Sequence, residues 1–186
     1  MIVLVTGGTG FVGSQLLRHL SQDTALRLRA SVRSAAENLP DQVSVCQVGD
    51  INAETVWQEA LVDCKTVIHA AARAHIMDDA SLDPLTEFRR VNVEGSLNLA
   101  RQAIFAGVKR FVFLSSIKVN GEMTRPGLPF TPNDVHVPDD PYGLSKYEAE
   151  QGLLALAQET GMEVVIIRPP LVYGPGVKAN FSTMLK

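Results

Sequence analysis

A chain of 186 residues is long enough for one domain with a full core, and its net charge of −3 offers no clustered basic surface for nucleic acid. Its two cysteines, Cys46 and Cys64, stand in no Cys-x-x-Cys or Cys/His spacing, so neither a metal site nor a disulfide framework is expected. No apolar run approaches the roughly 18–20 residues of a membrane span, and MIVLV is too short for a signal-peptide core, so a soluble, cytoplasmic protein is expected.

Strand and helix signals alternate along the chain. MIVLVT (1–6) is a short apolar, β-branched run, as suits a strand buried on both faces. Phe11, Val12, Leu16, Leu17 and Leu20 then recur at helical spacing. Strands are expected at 26–32, 43–48 and 66–71. A long helix over 84–107 stops at Gly107, and RFVFLSS (110–116) is the fifth strand. A helix over 141–160 ends at Gly161, and MEVVIIRPP (162–170) is the sixth strand, closed by two prolines.

Strands separated by helices predict an α/β fold: a doubly wound parallel sheet of Rossmann type with helices on both faces. Ligands of such sheets bind beyond the carboxyl ends of the strands. Residues 1–170 form the expected dinucleotide-binding domain. The stretch 171–186 reads as the start of a truncated substrate-binding part.

TGGTGFVG lies between the first strand and the first helix. Gly7 permits a tight turn, Gly10 lets the backbone approach a pyrophosphate, and Gly13 lets the helix pack close to the strand. Phe11 and Val12 open the helix, whose free N–H groups and partial positive charge suit phosphate. The second strand, ALRLRASVRS, ends in Arg33 rather than an acid, which favours the 2′-phosphate of NADP over NAD. The alternative is that Arg27, Arg29 and Arg33 line a solvated face. After the third strand, Asp50 can accept from an adenine amino group and Ile51 can pack on the ring; the alternative is a plain loop aspartate. Ala70, Ala71 and Ala72 leave room for a cofactor backbone, and His69 reads as a core histidine.

In DDPYGLSKYEAE (139–150), Asp140 can cap the helix with Pro141 at its first position. Tyr142 and Lys146 then share one face, a turn apart. A free tyrosine, with a pKa of about 10, is a poor base. A nearby ammonium, an oxidised nicotinamide and a helix N-terminus all stabilise its phenolate, which could then take a proton as hydride leaves a carbinol carbon. The alternative is an exposed helix start. LSSIKVNG ends the fifth strand with Ser115 and Ser116, only one of which can face a substrate. No G-x-S-x-G elbow is present.

TGGTGFVG, GDI, HAAA, the Asn of RRVNVEGS, FLSSIKVNG, PYGLSK and IIRPPLVYGPG together resemble the extended short-chain dehydrogenase/reductase family, in particular its nucleotide-sugar epimerase/dehydratase group. The resemblance covers essentially the whole chain. It implies Ser116, five residues before Gly121, as the substrate-orienting serine, Tyr142 as acid/base, and Lys146 as the residue that lowers the tyrosine pKa and holds the nicotinamide ribose. It also implies Asn92 near the active site, Pro169 and Pro170 beside the nicotinamide, and Asn180 on the sugar or diphosphate of a nucleotide-sugar substrate. Ile117 and Lys118 stand where the family's dehydratases carry an acidic pair, which argues for 4-epimerisation or 4-keto-sugar reduction. SSIKVNGE with PFTPNDVHVPDDPYG looks most like UDP-N-acetylhexosamine enzymes of polysaccharide synthesis. The family often dimerises through two long helices, here 84–106 and 141–160, with Leu97, Leu153 and Leu154 compatible. Two other functions remain open: reduction of a non-sugar carbonyl, and a non-catalytic NAD(P)-sensing regulator.

Overall fold

The computed structural model describes residues 1–35, 38–74 and 83–174. Six parallel strands form one sheet in the order β3-β2-β1-β4-β5-β6. They are β1 (Ile2–Thr6), β2 (Arg27–Val32), β3 (Val43–Gln47), β4 (Cys64–His69), β5 (Arg110–Leu114) and β6 (Glu163–Ile167). The expected fold class holds. β4 begins and ends two residues earlier than its sequence pattern suggested, because pairing of Thr6 with His69 sets the register. Ala70–Ala72 therefore lie beyond the strand. β6 stops at Ile167, since Arg168 turns toward the interior.

Helices cover the two faces unequally. α1 (Phe11–Leu20) packs Leu17 against Val3, Val5, Leu28 and Ala30 on one face. The other face carries α2 (Gln58–Leu61), α4 (Ser96–Phe105) and α5 (Pro141–Thr160), which bury Trp57, Leu61, Leu99, Phe111, Phe113 and Leu153. Each of these apolar side chains contributes about 1.5–3 kcal/mol by leaving water.

The sequence pattern missed α2, whose four residues are too few to show a period. Arg29, which the alternative reading placed on a solvated face, donates from Nη1 to the carbonyls of Ala60 (2.8 Å) and Val62 (2.9 Å), closing that short helix.

The long helix expected over 84–107 is three segments. α3 (Pro84–Phe88) leads into a seven-residue π-helical run, Arg89–Gly95, and then α4. Gly107 at φ +76° follows its end, as expected. α5 also starts and stops as read: Asp140 Oδ1 accepts from Gly143 N at 2.9 Å, Pro141 is at the first position, and Gly161 is left-handed at φ +74°.

Candidate active site

Every residue assigned to the site among the described residues sits at the carboxyl ends of the strands or on a helix facing them. β1 and β4 are neighbours where the strand order reverses, the usual crevice for a ligand.

The glycine loop joins β1 to α1. Gly7 adopts φ +70°, and a Cβ there would fall 2.7 Å from Ala71 N. A Cβ on Gly13 would fall 2.1 Å from the Gly7 carbonyl oxygen, so the helix can approach the turn only with glycine. At Gly10 a Cβ would meet only the Gly7 oxygen, at 3.1 Å. No side chain caps α1 at Gly10, and its first-turn N–H groups remain available to an anion. This open cradle suits a dinucleotide pyrophosphate. Half-buried Phe11 and Val12 border it, and a Cβ on Gly174 would fall 3.8 Å from Phe11 Cζ.

Arg33 and Asp50, expected at the adenosine end, are brought together there. Arg33 Nε lies 3.4 Å from Asp50 Oδ1, and both side chains are largely exposed. Ile51 is partly buried against the core. Ala70 N donates to Thr6 O and Ala71 N to Thr6 Oγ1, tying the alanine stretch to the end of β1.

Ser115 and Ser116 diverge as strand alternation requires. Ser115 is buried and donates to Glu150. Ser116 stays half-buried on the opposite side, and its Oγ accepts from Lys118 N at 3.3 Å. Two contacts join the segment around this serine to the tyrosine helix. Lys146 Nζ donates to Leu114 O at 2.8 Å, and Lys118 Nζ pairs with Asp140 Oδ2 at 3.0 Å. Ile117 N donates to Pro169 O at 3.1 Å, which brings the end of β6 to the same place.

Lys146 is almost fully buried, 4.5 Å above the Phe113 ring centroid. Burial lowers its pKa from 10.5 to about 7, against an upward pull from Glu150. Burial, then the Asp140 carboxylate, push the Tyr142 phenol above its ordinary 10.0. That direction is opposite to the one expected from a neighbouring ammonium. The physical reason is that loss of hydration disfavours the phenolate and the Asp140 carboxylate adds to that, while the Lys146 ammonium is directed to the Leu114 carbonyl.

Asn92 lies buried in the π-helical run. Its Nδ2 donates to Ser145 Oγ (2.9 Å) and to Arg73 O (3.1 Å), and its Oδ1 accepts from Arg73 N (2.8 Å). It therefore fastens the stretch after β4 to the helix carrying Tyr142, whose ring meets Phe88 at a 6.0 Å centroid distance. Asn180 lies outside the described residues.

Sequence reasoning passed over Lys118 as a tie to Asp140, and also Ser145, Glu150 and Arg168. A signal existed for Glu150, four residues after Lys146 on the same helical face. The partners of Lys118 and Arg168 depend on the tertiary fold. Among the described residues no group of three His, Cys, Asp or Glu could hold a metal ion, and no helix is long and apolar enough to cross a membrane.

A parallel sheet in this order, with a glycine cradle at its first turn and a Tyr/Lys helix beside a strand-end serine, defines a Rossmann-type dinucleotide fold of the short-chain dehydrogenase kind. Residues 3–185 match the NAD dependent epimerase/dehydratase family, and the chain belongs to it. It is 53% identical over 184 residues to a UDP-glucose 4-epimerase of Vibrio cholerae, covering 99% of this chain and 56% of that relative. Among solved structures it is similar to a Thermus thermophilus UDP-glucose 4-epimerase in complex with NAD, with 30% identity and a TM-score of 0.82 over 97% of this chain and 58% of that one. A Thermotoga maritima UDP-glucose 4-epimerase with UDP-glucose gives 29% identity and a TM-score of 0.79, over 94% of this chain and 57% of that one. The chain thus spans a little over half the length of these relatives.

Proposed function

We propose that this protein acts as an NAD-dependent nucleotide-sugar 4-epimerase, with a UDP-hexose as substrate. The observation that carries this is that the strand end bearing Ser116 is tied to the Tyr142–Lys146 helix on both sides of the serine, through Lys118–Asp140 and Lys146–Leu114, at the carboxyl edge of the sheet from which the glycine cradle also opens. Similarity to the Vibrio cholerae UDP-glucose 4-epimerase supports the reaction and the substrate class.

Gly7, Gly10, Phe11, Val12 and Gly13 would hold the pyrophosphate, Asp50 and Ile51 the adenine, and Ala70–Ala72 would flank the cofactor backbone. Asn92, Pro169 and Lys146 belong to its nicotinamide end. A bound oxidised nicotinamide would supply the hydride acceptor and a positive charge that favours the Tyr142 phenolate. Ser116 holds the C4 hydroxyl oxygen, and Tyr142 Oη takes its proton. Both residues contact an oxygen rather than the inverted carbon, so the same pair returns the proton whichever configuration results. Lys118 occupies a place where dehydratases need acid, and its pairing with Asp140 gives it a structural use there.

NAD is the cofactor of choice in this reading. The sequence favoured NADP through Arg33, but that guanidinium already has Asp50 as a partner, and the Thermus enzyme is in complex with NAD. A homodimer built on α4 and α5 is part of the same proposal, since Phe105 and Leu154 leave apolar surface exposed on those helices.

Incubation with UDP-glucose and NAD, followed by chromatography of the nucleotide sugars, tests the reaction. UDP-galactose should form without net NADH, and Tyr142→Phe should lower kcat by about 10²–10⁴-fold while leaving NAD affinity intact. Net consumption of NADPH with a 4-keto sugar would assign a reductase instead. Undiminished turnover in Tyr142→Phe would remove the tyrosine from the chemistry.

A further inference from the structure

Glu150 is wholly buried in α5, one turn beyond Lys146. Its carboxylate accepts from Arg168 Nε at 3.0 Å, from Arg168 Nη2 at 2.6 Å and from Ser115 Oγ. Arg168 follows β6 and Ser115 follows β5, so three elements meet at one carboxylate. Taking a carboxylate and a guanidinium out of water is costly, and a buried pair survives only when its remaining hydrogen-bonding positions are met. Here they are met from two strands at once.

The cluster reaches outward as well. Arg168 Nη1 donates to Asp134 O at 3.1 Å. Asn120 Nδ2 donates to the same carbonyl at 3.0 Å and to Thr131 O at 2.7 Å, and His136 N donates to Val119 O at 2.7 Å. The stretch 131–136, just before the Asp140 cap, is therefore held to the ends of β5 and β6. On the inner side, Glu150 takes Ser115 inward, and extended backbone at Ser116 (φ −149°, ψ 145°) turns its neighbour outward.

We propose that Ser115, Glu150 and Arg168 form a positioning unit for the reaction: Glu150, ion-paired with Arg168 and one helical turn from the buried Lys146, sets the field at that ammonium and, through Ser115, fixes the aim of Ser116, while Arg168 braces the 131–136 stretch against the site. It rests on the catalytic reading of Ser116, Tyr142 and Lys146. Ser115 and Glu150 are buried and the Arg168 side chain is 14% exposed, so all three act through their neighbours.

The groups around Lys146 are Glu150 and Tyr142 on its own helix, His69 on β4, and the Phe113 ring and Leu114 carbonyl of β5. His69 stays neutral down to about pH 3, so Glu150 is the charge that can be varied. Around Glu150 stand Lys146, Arg168 and Ser115.

The test is an NMR titration of the Lys146 Cε–Nζ group, assigned with Lys146→Arg, in the substrate-free protein. Glu150→Gln keeps the shape and an acceptor for Ser115 and Arg168 while removing the charge. The proton affinity of Lys146 should then drop about tenfold or more. If loss of the arginine's counter-ion prevents folding, Glu150→Gln/Arg168→Met removes both charges and should show a smaller drop in the same direction, because Glu150 is the nearer of the two along the helix and the guanidinium's opposing field leaves with it. An unchanged Lys146 midpoint in whichever variant folds overturns the proposal. With UDP-glucose and NAD, kcat should fall about tenfold or more with KM for UDP-glucose nearly unchanged, and the alkaline limb of the kcat profile should move to lower pH. Glu150→Asp, which retains charge, should restore that limb. A parent protein inert toward UDP-glucose would count against the functional reading alone, because the titration needs no substrate.

Discussion

At the scale of single residues, His69 invites a catalytic role by its place at a strand end and has none of the means for one. It is buried between the Phe111 and Phe113 rings, 5.9 Å from each centroid. The Ser96 hydroxyl donates to Asn92 O at 2.7 Å, so it must accept from His69 Nε2, 2.8 Å away. Nδ1 then accepts from Thr6 Oγ1 at 2.6 Å, and a neutral ring satisfies the whole network. Burial, with Lys146 adding to it, lowers the His69 pKa from 6.5 to about 3. The unfolded chain therefore takes up a proton that the folded one refuses. Stability is full above the unfolded value and is lost as pH falls through it, by about 1.4 kcal/mol per unit toward the folded value. Urea midpoints should fall from about pH 7 to about pH 5, and His69→Gln, less stable at neutral pH, should lose that part of the slope. A slope identical in the variant would remove His69 as its source. The interior place of His69 was legible from its apolar strand. So was the opposed facing of Ser115 and Ser116, from strand alternation. The Arg33–Asp50 pair was not, because it joins two loops whose approach depends on sheet order.

At the scale of elements, the end signals of α5 were fully local. Asp140, Pro141 and Gly161 act within a turn of the backbone they cap, and the sequence displays them. The π-helical run left no such mark. Its apolar spacing fits an unbroken helix, and what Asn92 grasps is Ser145, on another helix. Of the three leucines compatible with a dimer, Leu153 is fully buried in the chain's own core. Leu97 covers Gly152, where a Cβ would fall 2.7 Å from Leu97 Cδ2. Leu154, 40% exposed, is the one left to face a second chain. Leu154→Asp should convert a sedimenting dimer into a monomer with unchanged circular dichroism. A parent protein that sediments as a monomer would exclude the α4–α5 dimer.

At the scale of the whole molecule, the alternation of strand and helix was enough to expect the fold class, because parallel strands need crossovers and crossovers have one hand. The unequal covering of the two faces was beyond it, since among the described residues no helix lies between β2 and β3 and α1 is the helix packed on that face. A ligand that binds only the folded chain must raise its stability. NAD at about a hundred times its dissociation constant should add about 2.7 kcal/mol, visible as a higher thermal midpoint. NADP at the same concentration should raise it less. A larger rise with NADP would return Arg33 to the role of phosphate partner.

The π-helical run carries a consequence for chain length. A π turn holds one residue more than the α turn it replaces. Deleting a single residue between Arg89 and Gly95 would leave a smooth helix of ordinary pitch. It would also swing α3 by about 100° around the common axis relative to α4. Phe88 would leave the Tyr142 ring, and Asn92 could not keep both Arg73 and Ser145. The more regular helix would thus be the less useful one, because the extra residue is what lets a single helix reach both Arg73 and Ser145 from the wall beside the tyrosine.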